Sequence, residues 1–383
     1  MRFSVIGDFA EAVLLAEAIH ASGDHRLVSC FVEGELAAAL AKSKIPFPLV
    51  SSAEDAMLDP AVDVVVVAVR DVDESIGLVR RASQEERHVV AIPPDAVSTA
   101  YSFELHLLLD ETRSGVLPLT GRWYTESSVE AALRALPAVR QLKLSLTLAT
   151  DSAVQRRRQL HAIDAICSSG LVFSQITGLD VPGADGSLLT RTITLASGEA
   201  SEIKTPPATV CFDQEPHSET TLDISGTDGG QSTIRTCIPD ADSEAAAQNA
   251  LPDLPRLVAA LTDRDACQQQ MEQFSNTLEL LEGLDKSFRR RRTVDIYFDS
   301  VSERAVFKTQ MTAIGCGVLT WMIFGMIGYL VMAQVLELPA IVLNIARGLW
   351  IAPLVIFLLA QLLLPLARER TPTHASTSDR QSD

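Results

Sequence analysis

The sequence predicts an α/β protein: a doubly wound N-terminal domain, then an α+β domain with an open, mostly antiparallel sheet, then a two-helix transmembrane hairpin. Three observations predict it. Short apolar strands alternate with helical segments over residues 1–120. β-like runs divided by Gly- and Pro-containing turns dominate 121–308. Two long uncharged apolar runs occupy 309–368, ahead of a Ser- and Thr-rich tail at 369–383 that reads as disordered.

In order along the chain, Arg2–Gly7 (R-F-S-V-I-G) reads as a strand and Glu11–Ser22 as a helix. A second strand covers Arg26–Val32 and a helix Leu36–Ser43. Asp63–Val69 (D-V-V-V-V-A-V) is a continuous β-branched run, the pattern of a strand buried on both faces of a parallel sheet. A helix at Asp73–Ala82, a strand at His88–Ile92, a helix at Ser98–Ser114 and a strand at Leu117–Leu119 complete the alternation. After Gly121 the pattern changes. Ser127–Ala135 reads as a helix, Arg140–Leu148 as a strand and Ala153–Ser168 as a helix. Strands are expected at Leu171–Thr177, Leu188–Leu195, Thr209–Phe212, Thr220–Ser225 and Ser232–Cys237, separated by turns such as V-P-G-A-D-G-S and G-T-D-G-G. Ser243–Glu282 reads as helix interrupted by Pro252 and Pro255.

Composition excludes several classes. The 383 residues carry a formal charge of −17, so phosphate-rich nucleic acid is a poor partner. The six cysteines form no C-x-x-C pair, which argues against zinc and against a disulfide scaffold. Mean hydropathy is nevertheless +0.18, so charge and hydrophobicity sit in different parts of the chain. Thr312–Leu336 and Gly348–Ala367 contain no Asp, Glu, Lys or Arg, and each reaches the ~20 residues that span a bilayer. The alternative is a pair of buried core helices. Arg289, Arg290, Arg291, Arg292, Arg304 and Lys308 precede the first run, and Arg368 and Arg370 follow the second. Basic residues at both outer ends put both termini, and the body of the protein, in the cytoplasm. Arg347 lies in the turn region and snorkels or makes a polar helix contact. The first residues lack a basic segment and are broken by Asp8 and Glu11, unlike a signal peptide. The four consecutive arginines also suit contact with anionic lipid headgroups.

Several motifs, in order, resemble the Gfo/Idh/MocA oxidoreductases, the family of glucose–fructose oxidoreductase and inositol dehydrogenase. V-I-G (Val5–Gly7) resembles the first strand and glycine of its Rossmann domain. D-P-A-V-D-V-V-V-V-A-V (Asp59–Val69) resembles the strand before the nicotinamide loop, and H-V-V-A-I-P-P (His88–Pro94) the strand that ends in Glu-Lys-Pro. L-H-A-I-D-A-I (Leu160–Ile166) resembles the second-domain helix that carries His and Asp. L-A-S-G-E-A (Leu195–Ala200) and D-I-S-G-T-D-G-G (Asp223–Gly230) resemble sheet turns. The resemblance covers roughly residues 1–308 and implies an NAD(P) site, an oxidoreductase activity and pairing into oligomers; the hairpin lies outside it.

The resemblance implies Gly7 and Glu33 as cofactor-binding residues, His161 and Asp164 as catalytic residues, and Arg122 in G-R-W-Y (Gly121–Tyr124) as a holder of an anionic ligand. Against the family pattern, Phe9 stands where a second glycine would let the backbone approach a pyrophosphate. Val32 stands at the ribose-binding acid, with Glu33 one residue late and equally readable as a solvated loop charge. Pro93 replaces the lysine that supports proton transfer, and proline has no titratable group. His161 and Asp164, at i and i+3, share a helix face; the bland reading is an inherited helix pair. Arg156–Arg158 reads as a solvated face. The expected function is therefore a membrane-anchored, non-catalytic ligand-sensing or scaffolding protein. The alternative is an active NAD(P)-dependent oxidoreductase acting on a sugar-like or polyol substrate at the membrane. A third possibility is a structural partner assembled through Ala313 and Gly317 of the hairpin.

Overall fold

The computed structural model describes residues 1–43, 46–136, 138–184, 187–198, 205–214, 220–227, 229–236, 251–296, 320–327 and 348. The chain divides into two units, Met1–Phe298 and Asp299–Asp383.

In the first unit, β1 (Arg2–Gly7), β2 (Arg26–Val32), β3 (Val64–Ala68), β4 (His88–Ala91) and β5 (Val116–Pro118) form a parallel sheet of order β2-β1-β3-β4-β5. All five residues of β3 are buried, as its β-branched run requires. Helices α1 (Ala12–Ser22), α2 (Gly34–Ser43), α3 (Ala53–Leu58), α4 (Val72–Gln84) and α5 (Thr99–Glu111) connect the strands. Sequence reading missed α3. Its signal is local, a Ser52 side chain that accepts from Asp55 N and caps the helix.

The second sheet has the order β11-β10-β6-β9-β8-β7-β12. Its strands are β6 (Val139–Thr147), β7 (Gln175–Pro182), β8 (Leu188–Ala196), β9 (Ala208–Asp213), β10 (Thr220–Gly226), β11 (Gln231–Thr236) and β12 (Val294–Asp295). Among the described residues only β6 and β9 pair in parallel, so it is mostly antiparallel, as expected. β7 begins and ends later than the expected Leu171–Thr177. Its hairpin register with β8, from Gln175↔Ala196 to Pro182↔Leu188, carries it on to the turn, while Phe173 is spent in the core.

The described residues of the unit also form α6 (Arg122–Ala135), α7 (Ser152–Cys167), α8 (Leu254–Thr262) and α9 (Arg264–Arg290). α6 starts five residues before the expected Ser127, because the Asp164 carboxylate accepts from Arg122 N in its first turn. Pro255 opens α8 rather than breaking a helix. It stands in the first turn, where its missing N–H costs nothing, behind an Asp253 cap. α9 is 27 residues, about 40 Å. It packs on α5 and β5 of the first sheet domain and on α7 and β7 of the second. Thr99 N and Oγ1 donate to Glu282 (3.0 and 2.9 Å), and Gly178 N donates to Ser287 Oγ (2.9 Å), so one helix ties both sheets together.

Among the described residues no helix is long and apolar enough to cross a membrane. Most of the two predicted spans, Arg304, Lys308, Arg347, Arg368, Arg370, the tail at 369–383 and residues 243–250 lie outside the described residues. Residues 320–327, inside the first predicted span, are helical, with Trp321 and Phe324 exposed.

Candidate functional site

In the first sheet the strand order reverses between β1 and β3, and a doubly wound fold binds its ligand at the carboxyl ends of the strands beside such a switch point. Gly7 ends β1 there with φ +140°, and a Cβ on it would lie 1.9 Å from Ala68 O at the end of β3. Only glycine fits this crossing. The next two amides, Asp8 N and Phe9 N, both donate to Ala68 O, at 2.8 and 3.1 Å. Glu33, after β2, is exposed and reaches Gly7 through its backbone, N to Gly7 O at 3.0 Å.

The Phe9 side chain is fully buried. The guanidinium carbons of Arg70 and Arg157 lie over its ring, 4.9 and 4.2 Å from the centroid. Asp95 ties the two arginines together, 3.8 Å from Arg70 and 3.2 Å from Arg157. Arg70 also meets Asp8 (3.6 Å) and Glu35. The acid engaged here is therefore Glu35 rather than Glu33. Glu11, immediately before α1, is buried too, with Oε1 3.2 Å from His161 Nε2. At this turn a buried aromatic ring stands where a dinucleotide pyrophosphate would approach, the two leading amides are spent on Ala68, and four carboxylates, Asp8, Glu11, Glu35 and Asp95, lie around it.

His161 and Asp164 follow each other on α7 but serve different neighbours. His161 is fully buried against Glu11 of the first sheet domain. Asp164 is fully buried and accepts from Thr120 Oγ1 (2.6 Å), Arg122 N (2.9 Å), Arg122 Nη2 (2.8 Å) and Thr277 Oγ1 (3.2 Å). Arg122 is equally buried and also donates to Gln270 (2.9 Å) and Gln273. Burial pushes the Asp164 carboxyl up, but the Arg122 guanidinium and the hydrogen bonds outweigh it and hold it below the usual carboxylate range. Gly121 makes the approach possible: a Cβ there would lie 2.0 Å from His161 O. Arg122 and Asp164 are thus brought together inside the core.

A cleft of about 890 Å³ opens where the loop after β4 faces α7 and the second sheet. Pro93 and Pro94 are buried, and the cleft begins at the next residue, Asp95. Its wall includes Gln155, Arg156 and Gln159 of α7, Arg191 of β8 and Asp285 of α9. His161, Asp164 and Arg122 are not among its lining residues. Arg156–Arg158 is a correction to the reading as a solvated face. Arg156 pairs with Asp285 (2.6 Å), Arg157 with Asp95, and Arg158 is buried and donates to Thr147 O (2.8 Å). α7 lies between the two sheet domains, so a charged run on it meets protein on both sides. Sequence reading also missed Gln155, Gln159, Asp95 and Arg70. No local pattern marks them, since their roles come from residues far away in the chain. No group of His, Cys, Asp and Glu among the described residues could hold a metal.

No family model and no curated protein matches the chain. Solved structures do. A candidate myo-inositol dehydrogenase from Sinorhizobium meliloti matches with a TM-score of 0.62 at 14% identity, over 78% of this chain and 100% of that one. GenD2 from gentamicin A biosynthesis, in complex with NAD, matches at 0.58 and 13%, over 77% and 97%. Myo-inositol dehydrogenase from Lactobacillus casei, in complex with NAD(H) and myo-inositol, matches at 0.56 and 14%, over 78% and 98%. At this identity the likeness is one of fold: this chain has the two-domain fold of the Gfo/Idh/MocA-type inositol dehydrogenases, a parallel Rossmann-like domain followed by a mixed-sheet domain.

Proposed function

We propose that the protein is a non-catalytic ligand-binding member of this fold, tethered to a membrane by its C-terminal hairpin. The observation that carries the reading is Phe9, buried in the glycine turn beneath Arg70 and Arg157 where a pyrophosphate would have to approach. Pro93 supports it, because no ammonium is available at that position for proton transfer. The core placement of Asp164 and Arg122 supports it too, because a carboxylate already accepting from several donors in the chain does not act as a base. The ligand-binding part of the reading rests on the cleft beside α7.

The membrane part rests on the two uncharged runs and on the exposed apolar residues of the helical stretch 320–327. In this reading both termini are cytoplasmic. The exposed Arg289–Arg292 at the end of α9 meet anionic headgroups, at about 1 kcal/mol per charge. A second reading, an NAD(P)-dependent oxidoreductase acting on a polyol, draws on neighbours of the same fold that hold NAD.

Titration of the full-length chain with NADH and NADPH, followed by nicotinamide fluorescence, separates the two. No binding is expected at cofactor concentrations that saturate ordinary dehydrogenases. Micromolar binding overturns the non-catalytic reading and favours the second.

A further inference from the structure

The first sheet domain carries a second cavity, at the end of the sheet away from the Gly7 turn. It encloses about 480 Å³ where α1 ends, β2 begins and residues 46–48 pass. His20, His25 and Arg26 line it together with Leu27, Phe47 and the two prolines that flank Phe47. Apolar walls with a few polar groups, around a space of this size, are the usual make-up of a small-molecule pocket. Three of the lining residues are basic and none is acidic, on a chain whose formal charge is −17.

The basic groups are held in place without an acidic partner. The His25 ring meets the buried Phe3 edge-on, with centroids 5.8 Å apart, and its Nδ1 lies 2.9 Å from the Met1 ammonium. An ammonium only donates, so Nδ1 accepts, and the hydrogen of the neutral ring sits on Nε2 as a donor. Burial and that ammonium push the His25 imidazole below its ordinary pKa, and the charge of Asp24 does not offset them. Arg26 stands in register with Arg2 on the neighbouring strand, and like charges side by side repel. Arg2 is answered by Asp63 at 2.8 Å, and Arg70, Arg80 and Arg81 also pair with carboxylates. Among the described residues the exposed side chains of Arg26 and His20 have no such partner. A bare inorganic ion would leave the apolar part of the cavity unfilled. We infer that this cavity binds a small organic anion, whose charged head meets Arg26 and the histidines and whose apolar body lies against Leu27 and Phe47. The site is separate from the cleft beside α7 and does not rest on the reading of that cleft.

The test uses the full-length chain, isothermal titration and thermal melting. Its probes are phenylacetate, acetate and phenethyl alcohol: the head with the ring, the head alone and the ring without a charge. Saturable binding of phenylacetate is expected, about tenfold or more tighter than that of either other probe. Arg26→Met should weaken it about tenfold, the lower end of the range for a hydrogen bond to a charged group. Arg26→Lys keeps the charge and should fall between the two. Without ligand, Arg26→Met should keep or raise the melting temperature, since it removes the charge beside Arg2. No saturable binding of phenylacetate at millimolar concentration overturns the site. Phenethyl alcohol binding as tightly as phenylacetate overturns the anionic head, and acetate binding as tightly overturns the apolar body. An affinity unchanged in Arg26→Met overturns the assignment to this cavity. A lowered melting temperature of unliganded Arg26→Met makes the guanidinium a partner of the fold and overturns its role in binding.

Discussion

Removing both members of the Arg122–Asp164 pair should cost far less than the sum of removing each alone. Asp164→Ala leaves a guanidinium that is 2% exposed without its counter-charge. It also strips the acceptor from Thr120, Thr277 and Arg122 N. The expected loss is about 3–5 kcal/mol, the usual cost of orphaning a buried charge. Arg122→Met strands the carboxylate instead and should cost a similar amount. The double variant Arg122→Met with Asp164→Leu buries no unpaired charge and gives up the hydrogen bonds with Thr120, Thr277, the backbone N–H of residue 122, Gln270 and Gln273, about 3–5 kcal/mol in all. The singles would therefore sum to roughly 6–10 kcal/mol against that figure, a strongly non-additive cycle. Urea denaturation of the full-length chain, followed by tryptophan fluorescence with Trp123 beside the pair as reporter, measures each corner. A single-variant loss below about 1 kcal/mol, the range of exposed ion pairs, would refute a structural role and return Asp164 to the list of accessible reactive groups. So would simple additivity.

The same carboxyl sets an acid limit. Its folded pKa lies below the unfolded value of about 3.9, so its contribution is fully present above that value and is lost as pH falls through the folded pKa. Asp164→Asn should flatten the stability profile below about pH 4, and identical acid profiles would contradict this. At the turn, Phe9→Leu keeps most of the buried volume and loses the contacts with the two guanidinium groups, costing about 1–2 kcal/mol. Phe9→Ala adds a cavity and should cost about 3–5 kcal/mol; equal losses for the two would mean that Arg70 and Arg157 contribute nothing through the ring. For the basic run, changing Arg289–Arg292 to Gln should weaken binding to vesicles containing anionic lipid, more at low than at high salt. Unchanged partition would remove lipid contact from the role of these residues.

Much of the architecture was legible because its causes are local. The β-branched run of β3, the alternation of short strands and helices, and the turns between β7 and β8 and between β10 and β11 follow from period and turn chemistry within a few residues. The glycine at the end of β1 and the buried phenylalanine two residues later were legible too, as was the proline where a lysine would be needed. What the residues around them do was not. His161 and Asp164 have the spacing of a pair, yet they part company because α7 is buried from Arg158 to Ile166 and its turns meet different domains. Arg156–Arg158 looks like a solvated face until α7 is placed between the two sheets. Gln155 and Gln159 carry no pattern at all, and only the packing of α7 sets them on the wall of the cleft. The sequence by itself therefore determined the elements, their order and the departures from a dinucleotide turn. The tertiary structure alone decided which charges pair and which residues border the cleft. Hydrogen-bonded periodicity is a short-range property of the chain, whereas burial and pairing depend on residues more than a hundred positions apart, as Arg122 does on Gln270.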